Sequence, residues 1–197
     1  MLTFALAVFL LIITPGPGVL STAGVGAAYG FQPGLRYVMG LFIGTNLVGL
    51  AVISGLAAIV FSVPVVRGVL MAASLAYLVY LAGRIALAGS KLAFIDARRR
   101  PGVKDGILLQ IINPKAYAVN SALYSGFAFL PNNLMLETLL KLLIGNAVWF
   151  PIHLIWLFAG SALHRLDLAE TTQKRINYAM AAAMMTVLRL PHPLISS

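Results

Sequence analysis

Long apolar runs follow one another along almost the whole chain, separated by short polar breaks. They cover residues 2–28, 37–62, 65–89, 106–130, 136–161 and 176–190. At about 1.5 Å per residue, most of them reach across a hydrocarbon layer of roughly 30 Å. Only 10% of the 197 residues are charged and 60% are hydrophobic, where soluble domains carry roughly 25% charged residues. So few charges cannot cover a water-exposed surface of this size, and lipid is the solvent that fits. In lipid every backbone polar group needs an internal partner, which continuous apolar runs satisfy as helices. The sequence therefore predicts an all-α integral membrane protein with six transmembrane helices. Five spans plus a surface helix is the alternative, because the last run is short and must tilt, thin the bilayer or begin earlier.

Charge gives an orientation. The net charge is +9, but the basic residues gather at the ends of apolar runs, with no nucleic-acid motif and no aromatic–basic alternation. They suit anionic lipid heads, and no nucleic-acid partner is expected. The longest break, 89–105, carries Lys91, Arg98, Arg99, Arg100 and Lys104, with Arg84 just before it. The break at 164–175 adds Arg165, Lys174 and Arg175. With Arg36 these fall on one side, against Arg67, Lys141 and Arg189 on the other. The positive-inside rule puts the 89–105 loop in the cytoplasm and both termini outside. The run at 2–13 lacks a basic start, since no Lys or Arg precedes Arg36, so a cleaved signal is not expected.

Two of the runs are interrupted by residues that helices avoid. "FLLIITPGPGVLSTAG", residues 9–24, holds Pro15, Gly16, Pro17 and Gly18; "LLQIINPKAYAVNSALYSG", residues 108–126, holds Asn113, Pro114 and Lys115. Proline removes a backbone hydrogen bond and clashes with the preceding turn. In lipid such breaks persist only inside protein or beside water. Each break falls in the first helix of a set of three, and odd-numbered sets run in opposite directions. That layout predicts a 3+3 inverted repeat with helices 1 and 4 broken, and a transporter site at the midplane. No residue-by-residue identity links the halves, so the repeat is read from layout. One stub of each break exposes N–H groups suited to a carboxylate, the other C=O groups suited to a cation. Two facing breaks can hold a zwitterion. A proline kink that only shapes packing is the simpler alternative; the pairing of TPGPG with NPK favours the site. The chain reads as one transporter domain over 1–197: a first half at 1–90, the basic loop at 91–105 and a second half at 106–197.

Several stretches then resemble a known family. "TPGPG", "GLFIGTNLV" at 40–48, "SLAYLVYLAG" at 74–83, "INPKA" at 112–116 and "KRINYAM" at 174–180 are similar, in order and spacing, to the LysE/RhtB amino-acid exporters. The resemblance implies a secondary transporter in the bacterial inner membrane, exporting amino acids or close derivatives by proton antiport. Two positions depart from the family pattern. Gly18 stands where members commonly have Asn, and Thr45 and Asn46 stand about where many carry an acid. Both bear on the substrate and its charge.

The substrate-binding candidates are Thr14, Pro15, Gly16, Pro17, Gly18, Asn46, Asn113, Pro114, Lys115 and Asn120. Lys115 is the one basic residue deep in a run, and an intramembrane charge is a functional hypothesis by default. It can hold a substrate carboxylate, cap carbonyls at the break or snorkel to an interface. Asn113 can bond the substrate or cap the following half-helix. His153 is the proton-coupling candidate, with hydrogen-bonded packing as the simpler role. All five acids map near helix ends or loops, which leaves no mid-membrane carboxylate relay and no site tuned to strongly cationic substrates. Cysteine is absent; with no buried carboxylate and one central His, no enzyme constellation, metal site or cofactor is expected. Gly40 and Gly44 form a small-xxx-small pair for close helix packing within the chain or in a homodimer. The expected partners are a small amino-acid-like substrate, the bilayer and the proton gradient. An uncoupled channel, a helper subunit or an exporter of another small solute are the rival readings.

Overall fold

A computed structural model describes residues 1–14, 16–87, 100–166 and 170–186, and among them it contains helices and no strand. In chain order these are α1 (Leu2–Ile13), α2 (Pro17–Tyr29), α3 (Phe31–Ile53), α4 (Leu56–Ser62), α5 (Pro64–Ala86), α6 (Val103–Ile112), α7 (Pro114–Gly126), α8 (Leu134–Arg165) and α9 (Glu170–Thr186). Three of them, α3, α5 and α8, have the length and hydropathy of a membrane span. The pair α1–α2 qualifies as a fourth, bent by 53° at its break. The side chains left outward are apolar: Leu2, Leu6 and Leu10 on α1, Val65 and Val69 on α5, Leu143 and Ile155 on α8. This is a multi-pass membrane protein whose outer face suits lipid.

The centre is occupied by α2, in which every residue from Leu20 to Ala27 is buried. A helix enclosed on all sides favours small side chains, and the sequence supplies Ser21, Thr22, Ala23, Gly24, Gly26 and Ala27, with Leu20 and Val25 turned into the core. Its closest neighbour is α8. A Cβ on Gly160 would run into the Ala23 backbone, and one on Gly26 would sit 2.8 Å from the Leu157 carbonyl oxygen. The same device joins α3 to α6: Gly40 abuts the Val103 carbonyl, Gly44 abuts Gln110 and Ile107, and Gly106 abuts the Tyr37–Leu41 backbone. The Gly40–Gly44 face is therefore taken up inside the chain. Backbones that approach this closely gain dispersion contacts that lipid tails cannot replace.

Some expected boundaries shift. The second run, read as unbroken over 37–62, starts at Phe31 and is interrupted at Ser54–Gly55, where Gly55 adopts φ +77°. Gly30, at φ +81°, lets α3 follow α2 without a loop. The last run begins earlier than 176, at Glu170. Residues 88–99, which hold most of the basic loop, lie outside the described residues. Arg84, grouped with that loop from sequence, is fully buried beside Asp105, its Nη1 3.9 Å from Oδ1. Lys141, read as lying at the far side of the membrane, is also buried, because Glu137 one turn earlier on α8 pairs with it at 2.8 Å.

Candidate functional site

The first break is built from Thr14 to Pro17. Helix α1 ends at Thr14, whose hydroxyl donates back to the Leu10 carbonyl at 2.6 Å. The chain is extended at Gly16, and α2 starts with Pro17 at its first position, where the missing N–H is no loss. No side chain caps the N-terminus of α2. Its first N–H groups are thus left to whatever stands in front of them. Pro15 lies outside the described residues.

The second break is closed differently. Asn113 separates α6 from α7 and caps α7, its Oδ1 accepting from the Lys115 backbone N–H at 3.1 Å. Its Nδ2 donates to Gln110 Oε1 at 3.1 Å. The Tyr117 hydroxyl reaches back to the Ile111 carbonyl at 2.8 Å, which satisfies an acceptor that the break frees. The two breaks then meet. Lys115 Nζ donates to the Thr14 carbonyl at 2.7 Å, joining residues 101 apart in sequence. The same side chain lies over Gly16, where a Cβ would stand 2.7 Å from its Cδ.

Between the breaks is a cavity of about 100 Å³. Water-sized groups need roughly 10–15 Å³ each on this measure, so it has room for several, the scale of a small organic zwitterion. Thr14, Gly16, Gly18, Asn46, Gln110, Asn113, Lys115, Asn120, Asn146 and His153 supply polar lining, and Phe4, Leu11, Ile12, Val19, Leu123 and Trp149 supply apolar lining. No Asp or Glu lines it. His153 is 3% exposed; its ring stacks on Trp149 at 3.5 Å between centroids and its Nδ1 is 2.9 Å from the Trp149 carbonyl. That carbonyl can only accept, so Nδ1 carries a proton and Nε2 faces Gly18. On the opposite wall Asn46 and Asn146 exchange amide hydrogen bonds at 3.1 and 2.9 Å.

A family model described as LysE type translocator matches residues 9–190. The chain belongs to that family. The leucine efflux protein of Klebsiella pneumoniae subsp. pneumoniae is similar to this translocator, 28% identical over 120 residues. The match covers 58% of this chain and 57% of that protein, so it spans little more than half of either. No solved structure matches the chain significantly.

Of the residues singled out from sequence, the translocator places Thr14, Gly16, Gly18, Asn46, Asn113, Lys115, Asn120 and His153 around one cavity. Pro17 and Pro114 do not line it; they open α2 and α7 as first-turn residues. Asn120 spends its amide N–H on the Ala116 carbonyl at 2.7 Å, leaving Oδ1 toward Gly49. Sequence reasoning passed over Gln110, which lines the cavity and is buried against Asn113. Its spacing three residues before Asn113 on one helix face was the available signal. Lys141 and Tyr124 were also unselected. Lys141 Nζ donates to the Tyr124 carbonyl at 3.0 Å, and Glu137 accepts from the Phe129 and Leu130 N–H groups. This clasp ties the end of α7 to the start of α8. Tyr124 lines both the central cavity and a wider open groove of about 740 Å³ bounded by α3, α4, α7 and α8.

Proposed function

We propose that this translocator is a secondary transporter that exports amino acids or close derivatives across the bacterial inner membrane, with the 89–105 loop in the cytoplasm. The observation that carries the reading is the Lys115–Thr14 bond, which joins the two helix breaks over one cavity. An uncapped helix N-terminus and an ammonium in that cavity suit the carboxylate of a zwitterion. Export by a leucine efflux protein related over part of its length supports the direction and the substrate class.

A 3+3 inverted repeat is the architecture that fits. The broken pair α1–α2 packs on α8 as the broken pair α6–α7 packs on α3, and α5 pairs with α9. Under this reading α6–α7 is the fourth span and α9 the sixth, and the repeats rock about the site. Proton antiport is the coupling we favour, with His153 as the group that exchanges the proton.

The test is efflux. Cells are loaded with amino acids through dipeptides, with and without the protein, and their appearance outside is followed while the proton gradient is varied. Faster, gradient-dependent release of particular amino acids is the expected result. Unchanged release across the panel, with the protein present in the membrane, overturns the reading; release down a concentration gradient alone replaces the carrier by a channel.

A further inference from the structure

The cavity lies toward one end of the helices. On α3, which runs from Phe31 to Ile53, its lining starts at Thr45; on α8, which runs from Leu134 to Arg165, it stops at His153. Helix α2 lends only Gly18 and Val19 near its start, and α6 only Gln110 near its end. Tyr124 joins the cavity to the open groove, whose walls include Ile53 and Ala57. In the orientation proposed above, this is the outer side of the membrane. The cytoplasmic side is packed shut: Tyr37, Leu41, Leu81, Ile85, Leu109 and Leu157 are fully buried in one cluster.

A charge is sealed into this layer. Arg84, next to Ile85 on α5, is 0% exposed, and its Nε, Nη1 and Nη2 have no hydrogen-bond partner among the described residues. Asp105 at the start of α6 is near, but Nη1 to Oδ1 is 3.9 Å, about 1 Å beyond a charge-assisted bond of roughly 2.7–2.9 Å. The other carboxylate oxygen accepts from the Gly102 N–H at 2.8 Å. The Tyr80 ring, 5.6 Å from Cζ, offers a cation–π contact, which leaves five N–H donors unmade. The backbones on both sides are tied: the Tyr29 hydroxyl donates to the Arg84 carbonyl at 3.1 Å, and the Tyr77 hydroxyl to the Asp105 carbonyl at 3.0 Å. A buried guanidinium without hydrogen bonds is unfavourable. A conformation that admits water there, or brings Asp105 closer, is relieved at this point.

We propose, resting on the export reading above for its sidedness, that this is the outward-facing state of the translocator and that Arg84 is the residue that unseats its cytoplasmic closure. The guanidinium is dry and unpaired while the layer is packed, and hydrated and paired with Asp105 once the layer opens. Arg84 thereby sets the balance between two states without touching the substrate. It governs how fast the protein turns over, not what it carries.

The chain has no cysteine, so one introduced thiol reports one position. Leu109→Cys marks the packed layer and Val119→Cys the cavity wall. The full-length protein is labelled with a membrane-impermeant maleimide in right-side-out and inverted membrane vesicles, without substrate. Val119→Cys is expected to react from the outer face, and Leu109→Cys slowly and from the cytoplasmic face. Adding Arg84→Met, an apolar side chain of similar length, should slow Leu109→Cys labelling about tenfold, the effect of one hydrogen bond to a charged group, and speed Val119→Cys labelling. The melting temperature should hold or rise, because an unpaired buried charge is gone. Arg84→Lys keeps a charge and should label like the parent. Unchanged or faster Leu109→Cys labelling in Arg84→Met overturns the assignment. So does a lower melting temperature, which would mean that the guanidinium is bonded in the folded protein. Val119→Cys reacting mainly from the cytoplasmic face overturns the outward-facing state. Labelling needs no substrate, so the expected pattern in a protein that exports no amino acid overturns the export reading and supports this one.

Discussion

Asn46 and Asn146 stand 100 residues apart and face each other amide to amide, each donating to the other, at 3.1 and 2.9 Å. One comes from α3 and the other from α8. The inverted repeat proposed above would place such a reciprocal contact near its internal two-fold axis. The offset nearly repeats at the breaks, with Thr14–Pro15 followed 99 positions later by Asn113–Pro114.

The Asn pair should be energetically coupled. Polar side-chain pairs between membrane helices contribute on average about 0.6 kcal/mol and at most about 1.7 kcal/mol. Asn46→Ala and Asn146→Ala should each destabilise by roughly that much, and the double variant should lose little more than the worse single one. Reversible unfolding in mixed micelles measures all three. Additive losses would mean that the amides work independently.

Gly16→Ala should impair transport more than folding. The new methyl meets the Lys115 side chain at 2.7 Å, and a lysine stem is flexible enough to move aside. Moving it breaks the bond to Thr14. We expect initial export rates to fall about tenfold, as for a charge-assisted bond, at nearly unchanged thermal stability.

Gly18→Asn tests the opposite case. A Cβ there clears His153 Nε2 at 3.4 Å, so the fold accepts it, and the amide can donate to Nε2. Protein yield and melting temperature should hold, while the relative export of different amino acids changes. A variant that fails to reach the membrane would show that the space is smaller than the geometry indicates.

Helix contacts made through glycine should be intolerant. Gly160→Ala sets a methyl against the Ala23 backbone, which neither helix can relieve by a rotamer change. Overpacking of this kind costs about 1–3 kcal/mol. Gly68→Ala on α5 meets nothing within 4 Å and should stabilise by up to about 1 kcal/mol through helix propensity. Melting temperatures of the two variants, compared in one detergent, decide this.

The clasp between α7 and α8 should fail when halved. Glu137 and Lys141 are 6% and 4% exposed as side chains, so Lys141→Met strands a buried carboxylate. Removing one member leaves the other's charge uncompensated, while replacing both by apolar residues costs less. Lys141→Met should therefore be less stable than Glu137→Leu combined with Lys141→Met. The opposite order would place the pair in contact with water.

Much of this is legible in the sequence. The apolar runs gave the helices, and TPGPG and NPK gave the two breaks, because proline and glycine act locally on the backbone. The meeting of Lys115 with Thr14 could not be read, since it depends on how α1 and α7 are rotated. The burial of Arg84 and Lys141 could not be read for a related reason. Their burial depends on Asp105 and Glu137 facing inward, and position near the end of a run carries no information about which face a side chain takes. The interruption at Ser54–Gly55 was hidden because isolated glycines are common in membrane helices.

The glycine contacts also limit how the molecule can move. Where backbone lies directly on backbone, as at Gly160 on Ala23 and Gly40 on Val103, helices cannot slide past one another without collision. Helix α2 must travel with α8, and α3 with α6, as two stiff blocks. What lies between the blocks is soft by comparison: an amide pair, a lysine reaching for one carbonyl, and a small void. The seam along which the protein can yield is therefore the wall of its own cavity.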